Sequence, residues 1–218
     1  ESGSFAGMCG KLDQLRKLLK PLDRALVALS GGVDSALLTR VAFEELGSQV
    51  EAVTAVSPSL PSAEREVACR LAKEIGIAHR LIETGEVENP DYAANGPDRC
   101  YHCKKELFTH MDALAREAEG AVLLYGAIGD DFREHRPGHR AAGEALARAP
   151  LAELGYTKEE VRRDARALGL EVWNKPAFAC LASRVPHGIP VTSEVLSQIE
   201  QGEACLRELG FAQFRLRH

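Results

Sequence analysis

The sequence predicts an α/β fold in which a parallel, Rossmann-like sheet carries helices on both faces. Four short apolar runs, at 25–29, 50–56, 78–82 and 122–125, have the length and composition of buried strands. Segments with helical periodicity lie between them and end near glycine or proline. Strands that alternate with helices along a chain are typical of βαβ units, which build parallel sheets.

The predicted helices and strands alternate along the chain in the order that βαβ units require. A first helix is predicted over 11–19, where leucines recur at helical spacing before Pro21. The strand at 25–29 leads through a glycine loop into a helix that ends before Gly47. Further helices are predicted over 62–75, 103–119, 157–169 and 192–209. We expect a polar loop over 129–139 and a short strand or turn over 151–154.

The pattern changes in the last part of the chain. Residues 173–190 contain three prolines around Cys180, which predicts a constrained loop, and the alternation in 211–217 predicts a strand. We therefore expect one domain over 8–172. Over 173–218 we expect the cysteine loop and the start of a small α+β unit that serves substrate binding or oligomerisation, so a homo-oligomer is predicted.

Composition narrows the function classes. With 45% hydrophobic residues among 218, the chain has an ordinary globular make-up, and no apolar run approaches the roughly 18 residues of a membrane span. A net charge of −5 gives no positive field for nucleic acid. Residues 1–7 lack a basic and apolar leader, so we expect a cytoplasmic protein whose six cysteines are reduced thiols, metal ligands or catalytic groups.

The segment 30–35, Ser-Gly-Gly-Val-Asp-Ser, lies between a predicted strand and a predicted helix. Its glycines allow close backbone approach, and its hydroxyls and the helix N-terminus point to one place beyond the strand, which predicts an anion site. A Walker A loop would need a lysine, which this segment lacks. The simpler alternative is an ordinary glycine turn into a helix.

This hexapeptide resembles the signature of the PP-loop ATP pyrophosphatases, whose adenine nucleotide alpha hydrolase-like fold the resemblance therefore implies. It also implies cleavage of ATP between the α- and β-phosphates, adenylylation of a substrate, and a divalent cation, Mg²⁺ or Mn²⁺, on the triphosphate. The positions that the resemblance assigns to ATP binding are Ser30, Gly31, Gly32, Asp34, Ser35 and Gly126.

Three cysteines lie beside sequence features that predict metal binding or a reactive thiol. Cys100 and Cys103 form a Cys-x-x-Cys pair at a predicted helix N-terminus, where the dipole favours thiolate; the pair is open to interpretation as half a zinc site, a redox pair or two half-buried thiols. Cys180 has Lys175 and Arg184 nearby, which predicts a lowered thiol pKa, although a lone cysteine is usually a small core residue.

A second resemblance covers nearly the whole chain, from about Met8 to His218. Segments 126–131, 173–184 and 214–218 are similar to the LarE family of ATP-dependent sulfur transferases. The resemblance implies adenylylation of a carboxylate of pyridinium-3,5-biscarboxylic acid mononucleotide and its conversion to a thiocarboxylate, in the biosynthesis of the nickel-pincer nucleotide cofactor. The partners it implies are this small-molecule nucleotide and a sulfide or other sulfur donor.

The resemblance leaves two sulfur routes open, of which we expect the one that uses a 4Fe-4S cluster, with sacrificial donation from Cys180 as the alternative. In the sacrificial form of the family, the catalytic cysteine at the Cys180 position attacks the acyl adenylate and then loses its sulfur. This sequence also has Cys100 and Cys103, as in the members whose three cysteines bind a 4Fe-4S cluster. Three thiolates would leave one iron open for a hydrosulfide. The alternatives are an iron–sulfur tRNA thiolase, disfavoured by the negative charge, and a nucleotide-binding module without enzymatic activity.

The resemblance also assigns residues to the substrate phosphate and to a metal. The substrate-phosphate positions are Ser183, Arg184, Arg215 and Arg217. In a strand, Arg215 and Arg217 would face the same way, as a bidentate anion site requires, although a solvated strand face is the simpler interpretation. Glu203 matches a metal-site position of the family.

Overall fold

The computed structural model describes residues 10–129, 137–211 and 214–218. Its strands are β1 (Ala25–Ala28), β2 (Val50–Val56), β3 (Ala78–Glu83) and β4 (Val122–Tyr125). Its α-helices are α1 (Lys11–Leu19), α2 (Val33–Leu46), α3 (Ser62–Ile75), α4 (Pro90–Ala93), α5 (Arg99–Glu117), α6 (Pro137–Glu144), α7 (Pro150–Glu153), α8 (Lys158–Ala167) and α9 (Ser193–Glu208). No α-helix of the described residues is long and apolar enough to cross a membrane.

The four strands form one parallel sheet in the order β3-β2-β1-β4. Ala25 of β1 aligns with Val50 on one side and with Val122 on the other. The chain moves outward from β1 through β2 to β3 and then returns to the far side of β1. Ligands of open α/β sheets bind beyond the carboxyl ends of the strands where the order reverses, which here is the gap between β1 and β4.

The sheet is covered on both faces, as the sequence predicts. Side chains alternate along β1, so Ala25 and Val27 pack into one core with helices α1, α2, α3 and α8. Leu26 points to the opposite face, into a core that contains Phe108 of α5 and Ala141 of α6. Strands buried on both sides must be apolar at consecutive positions, which explains the continuous run in the sequence.

Two predictions for the chain between β4 and α8 differ from the structure. Residues 150–153 form the short helix α7 instead of a strand or turn, with Pro150 in its first turn, where the missing N–H is not needed. Helix α6 begins at 137, within the predicted polar loop over 129–139. Residues 130–136 of that loop lie outside the described residues.

The strand predicted over 211–217 is wrong for residues 211 and 214–217, while 212 and 213 lie outside the described residues. A strand needs a neighbouring strand to satisfy its backbone groups. Here the Leu216 N–H donates to the Glu203 carboxylate, and the His218 N–H donates to the carbonyl of Arg184. The chain end therefore lies along the segments around Arg184 and α9 without joining a sheet.

A third core supports the cysteine loop. Tyr92 of α4 packs with Leu181, Val185 and Leu196, so this one apolar cluster includes both α4 and the chain from 181 to 199. Cys103 and Cys180 lie against the same cluster. The division into 8–172 and 173–218 stays a prediction.

Candidate functional site

The glycine loop connects the end of β1 to the start of α2. The Ser35 hydroxyl donates to the Gly32 carbonyl at 3.0 Å and accepts from the Ser30 N–H at 3.2 Å. Gly31 has a φ of +77°, a conformation that side chains other than glycine rarely adopt. The loop is thus held by its own hydroxyls, with the N-terminus of a 14-residue helix behind it.

Gly126 lies directly beside this loop. It follows β4, and a Cβ added at this position would be 2.5 Å from the Ser35 nitrogen and 2.7 Å from the Ser35 Cα. Real Cβ atoms do not approach backbone this closely. The structure therefore brings Gly126 together with Ser35 and Asp34 at the gap between β1 and β4.

Two lysines contact the glycine loop, and no sequence motif predicts a contact of either one with this loop. The Lys158 ammonium donates to both Asp34 carboxylate oxygens, at 2.5 and 2.7 Å. The Lys175 ammonium donates to the Gly31 carbonyl at 3.0 Å and to Glu64 at 2.6 Å. Lys158 could have been noticed because it begins helix α8, where a positive charge opposes the helix dipole.

The three cysteines are neighbours. Cys100 and Cys103 lie in the first turns of α5, and each of the three thiols interacts electrostatically with the other two. Cys100 is exposed, whereas Cys103 and Cys180 are half-buried. In the described ranges, no group of three or more His, Cys, Asp or Glu residues is already arranged to hold a metal ion.

The predicted thiolate character of Cys103 and Cys180 is wrong in this structure. Burial raises the pKa of the Cys103 thiol to about 12, and the nearby Glu86 carboxylate adds to the rise. Burial also raises the pKa of Cys180, although the guanidinium groups of Arg99 and Arg184 oppose this. The cost of removing a thiolate from water outweighs these positive charges, so burial favours the neutral form of both thiols.

Arg184 is buried, with a side-chain exposure of 3%. Its guanidinium forms two bonds to Glu203, at 2.8 and 3.2 Å, and also donates to the carbonyls of Ala179 and Cys180. The predicted metal position Glu203 thus pairs with the predicted phosphate position Arg184, and together they fix the Cys180 loop to α9. Their roles toward a metal and a phosphate stay predictions.

Replacing Glu203 with alanine should lower the free energy of unfolding by about 3–5 kcal/mol, because it leaves Arg184 buried without its counter-charge. The measurement is chemical denaturation. The matched control is Glu153→Ala, which removes the partner of Arg148 from a pair that is about one-third exposed and should cost at most about 1 kcal/mol. Equal losses in the two variants would contradict this account.

A cleft of about 690 Å³ lies between α3, the segment 175–179 and α9. Lys175 and Glu64, which contact the glycine loop, line one part of it. Ala179 and Arg184, which flank Cys180, line another part, and Arg215 lines it from the chain end.

The other predicted phosphate ligands lie outside the set of lining residues. Ser183 donates its hydroxyl to the Cys180 carbonyl at 2.7 Å, and Arg217 is exposed. Of the four predicted phosphate positions, the structure therefore places Arg184 and Arg215 at the cleft. Arg215 and Arg217 do not lie in a strand, so strand geometry does not place their guanidinium groups on the same side.

Comparison with known proteins agrees with this geometry. The asparagine synthase family matches residues 16–169. An uncharacterized protein of Synechocystis sp. is 48% identical over 95% of this chain and 77% of its own length. Pyridinium-3,5-bisthiocarboxylic acid mononucleotide synthase of Lactiplantibacillus plantarum is 36% identical over 98% of this chain and 78% of its own length. A glutamine-hydrolyzing GMP synthase of Aeropyrum pernix is 29% identical over 84% of this chain and 39% of its own length.

The family match covers more than half of the chain and includes the glycine loop, Gly126 and Lys158. The Lactiplantibacillus relative extends the similarity through the cysteine loop and α9. The chain therefore carries a PP-loop ATP pyrophosphatase domain and belongs to the LarE-type ATP-dependent sulfur transferases.

Proposed function

We propose that this enzyme adenylylates a carboxylate of pyridinium-3,5-biscarboxylic acid mononucleotide and converts it to a thiocarboxylate, in the biosynthesis of the nickel-pincer nucleotide cofactor. The observation that carries the proposal is the cleft, since it is lined both by residues that contact the glycine loop and by residues that flank Cys180. A substrate held there can receive AMP from one side and sulfur from the other.

In the first step a carboxylate oxygen attacks the α-phosphorus of ATP, which forms an acyl adenylate and releases pyrophosphate. Ser30, Gly31, Gly32 and Ser35 would bind the leaving pyrophosphate through backbone N–H groups and hydroxyls. Lys158 and Lys175, which donate to Asp34 and to the Gly31 carbonyl, would supply positive charge. Mg²⁺ or Mn²⁺ would accompany the triphosphate, and Asp34 is the loop carboxylate able to bind it.

In the second step a sulfur nucleophile attacks the acyl carbon and AMP leaves. If Cys180 itself is that nucleophile, its thiol must first lose a proton to attack the acyl carbon. The resulting thioester then loses the Cα proton of residue 180 to a base while the bond between Cβ and sulfur breaks. This yields the thiocarboxylate and leaves dehydroalanine in the chain. If the sulfur is external, a hydrosulfide attacks instead and the cysteines remain intact.

We favour the second route, with Cys100, Cys103 and Cys180 as ligands of a 4Fe-4S cluster. The type of donor fits, since cysteine thiolates are the usual ligands of such clusters. Cys103 and Cys180 pack against one apolar cluster, and Cys100 lies about one turn before Cys103 on α5. Exposed Cys100 would have to turn inward to complete the set. When bound, the cluster would supply the position for an exchangeable hydrosulfide.

The test of the overall reaction is product analysis with ATP, a divalent cation and the pyridinium biscarboxylate mononucleotide. We expect AMP and pyrophosphate, and with sulfide present a thiocarboxylate of the expected mass. ADP and phosphate as products, or modification of tRNA but not of the mononucleotide, would overturn the proposal.

The test of the cluster is iron analysis after anaerobic reconstitution. We expect about four irons per chain in the unaltered protein and a loss of most of them in Cys100→Ala, with Cys205→Ala as the matched exposed control. The sacrificial route predicts no bound iron, single-turnover activity in Cys100→Ala, and the mass loss of one hydrogen sulfide at Cys180.

Arg215 provides a further prediction, since it is an exposed cation that lines the cleft. Arg215→Ala should weaken binding of the mononucleotide by about 1.5–3 kcal/mol, the range for a hydrogen bond to a charged group, and leave ATP binding unchanged. Calorimetric titration of the two ligands measures both. Arg217→Ala is the comparison that shows whether the second predicted arginine also contacts the phosphate.

A further inference from the structure

Asn95 is a fully buried residue in the turn between α4 and α5, with a φ of +55°. Its side-chain amide donates to the carbonyls of Val185, Pro186 and Ile189, at 3.3, 2.8 and 2.9 Å. Its own carbonyl accepts bonds from the segment 187–188. The Asn95 side chain thus donates hydrogen bonds to three backbone carbonyls of the segment that follows Cys180.

Arg99 adds a second connection from the same turn. Its guanidinium donates to the side-chain oxygen of Asn95 and, at 2.9 Å, to the carbonyl of Ala182. Arg99 is 7% exposed, and it forms no ion pair within the described part of the chain. It immediately precedes Cys100, while Ala182 lies two residues beyond Cys180, so a single side chain joins the two cysteine segments.

We propose that Asn95 and Arg99 are positioning residues that lock the Cys180 loop onto the first turn of α5 before any cofactor or substrate binds. Burying an arginine without a counter-charge is costly. Here that arginine joins two segments that are 83 residues apart in the sequence. The connection fixes Cys180 relative to Cys100 and Cys103, because the Arg99 side chain bonds to the backbone two residues beyond Cys180.

The test measures how readily the loop opens. Cys180 is half-buried, so its alkylation by iodoacetamide depends on opening, and peptide mass spectrometry gives the rate at each cysteine. The variants are Asn95→Gly and Arg99→Lys. Glycine adopts the positive φ without strain. Lysine keeps the charge, but its shorter side chain does not reach the position of Nη1, the nitrogen that donates both Arg99 bonds. Arg116→Met, an exposed arginine on the same helix, is the control.

In metal-free protein we expect both Asn95→Gly and Arg99→Lys to accelerate alkylation of Cys180 by about tenfold or more. Asn95→Gly removes four side-chain hydrogen bonds, and Arg99→Lys disturbs two. Cys69 on α3, also half-buried, is the internal reference and should keep its rate. An unchanged Cys180 rate in both variants would refute the proposal. A parallel rise at Cys69 would do so too, because it would mean that the residues support overall stability only. Neither readout requires sulfur transfer, so the result is independent of the proposed reaction.

Discussion

Replacement of Cys180 with alanine is expected to abolish thiocarboxylate formation while pyrophosphate exchange with ATP continues. The thiol is the only group removed, and both sulfur routes need it, either as the nucleophile or as a metal ligand. The glycine loop is held by contacts among Ser30, Gly32 and Ser35, so adenylylation should not depend on the thiol.

The measurement combines mass spectrometry of the product with exchange of labelled pyrophosphate into ATP in the presence of substrate. Cys69→Ala is the matched control, since Cys69 is half-buried like Cys180 but lies on α3. Thiocarboxylate formation by Cys180→Ala at the rate of the unaltered enzyme would exclude both sulfur routes at once. Loss of exchange together with loss of product would show that the cysteine loop also shapes the ATP site.

Gly126→Ala should weaken ATP binding by about 10- to 100-fold, the effect of losing one hydrogen bond to a charged phosphate. The new methyl group would come within 2.8 Å of three backbone atoms at the start of α2. Backbone in a helix cannot yield as a side-chain tip can, so α2 and the loop before it must shift away from β4.

Titration calorimetry gives the affinity, and thermal unfolding shows how much of the strain also lowers stability. Gly129→Ala is the control, because its added Cβ would meet no atom within 4 Å and only two residues lie between the two positions. ATP affinity in Gly126→Ala within a factor of two of the control would mean that the gap between β1 and β4 is not the nucleotide site.

The sequence was sufficient to predict the features that depend on local pattern. The four strands, the turn from β1 into α2 and the coverage of both faces follow from apolar periodicity and from glycine positions. The glycine loop could be recognised because its residues are consecutive. Cys100 and Cys103 could also be recognised as a pair, because they lie within one helical turn.

The predictions that the structure contradicts concern features that depend on contacts between residues far apart in the sequence. The segment 211–217 has the alternation of a strand but no neighbouring strand to pair with, and its backbone groups find Glu203 and Arg184 instead. Lys175 is close to Cys180 along the chain, yet its ammonium binds Glu64 and the Gly31 carbonyl. The pKa of Cys180 depends on burial by an apolar cluster that no local motif reveals.

The parallel register of the sheet has a practical consequence for labelling and immobilisation. All four strands point the same way, so the glycine loop, Gly126 and the Cys180 loop lie at one edge. The turns that enter the strands, including the exposed Glu119–Gly120 turn before β4, lie at the opposite edge. A fluorophore or surface tether placed at this turn would leave the proposed nucleotide and sulfur sites facing free solution.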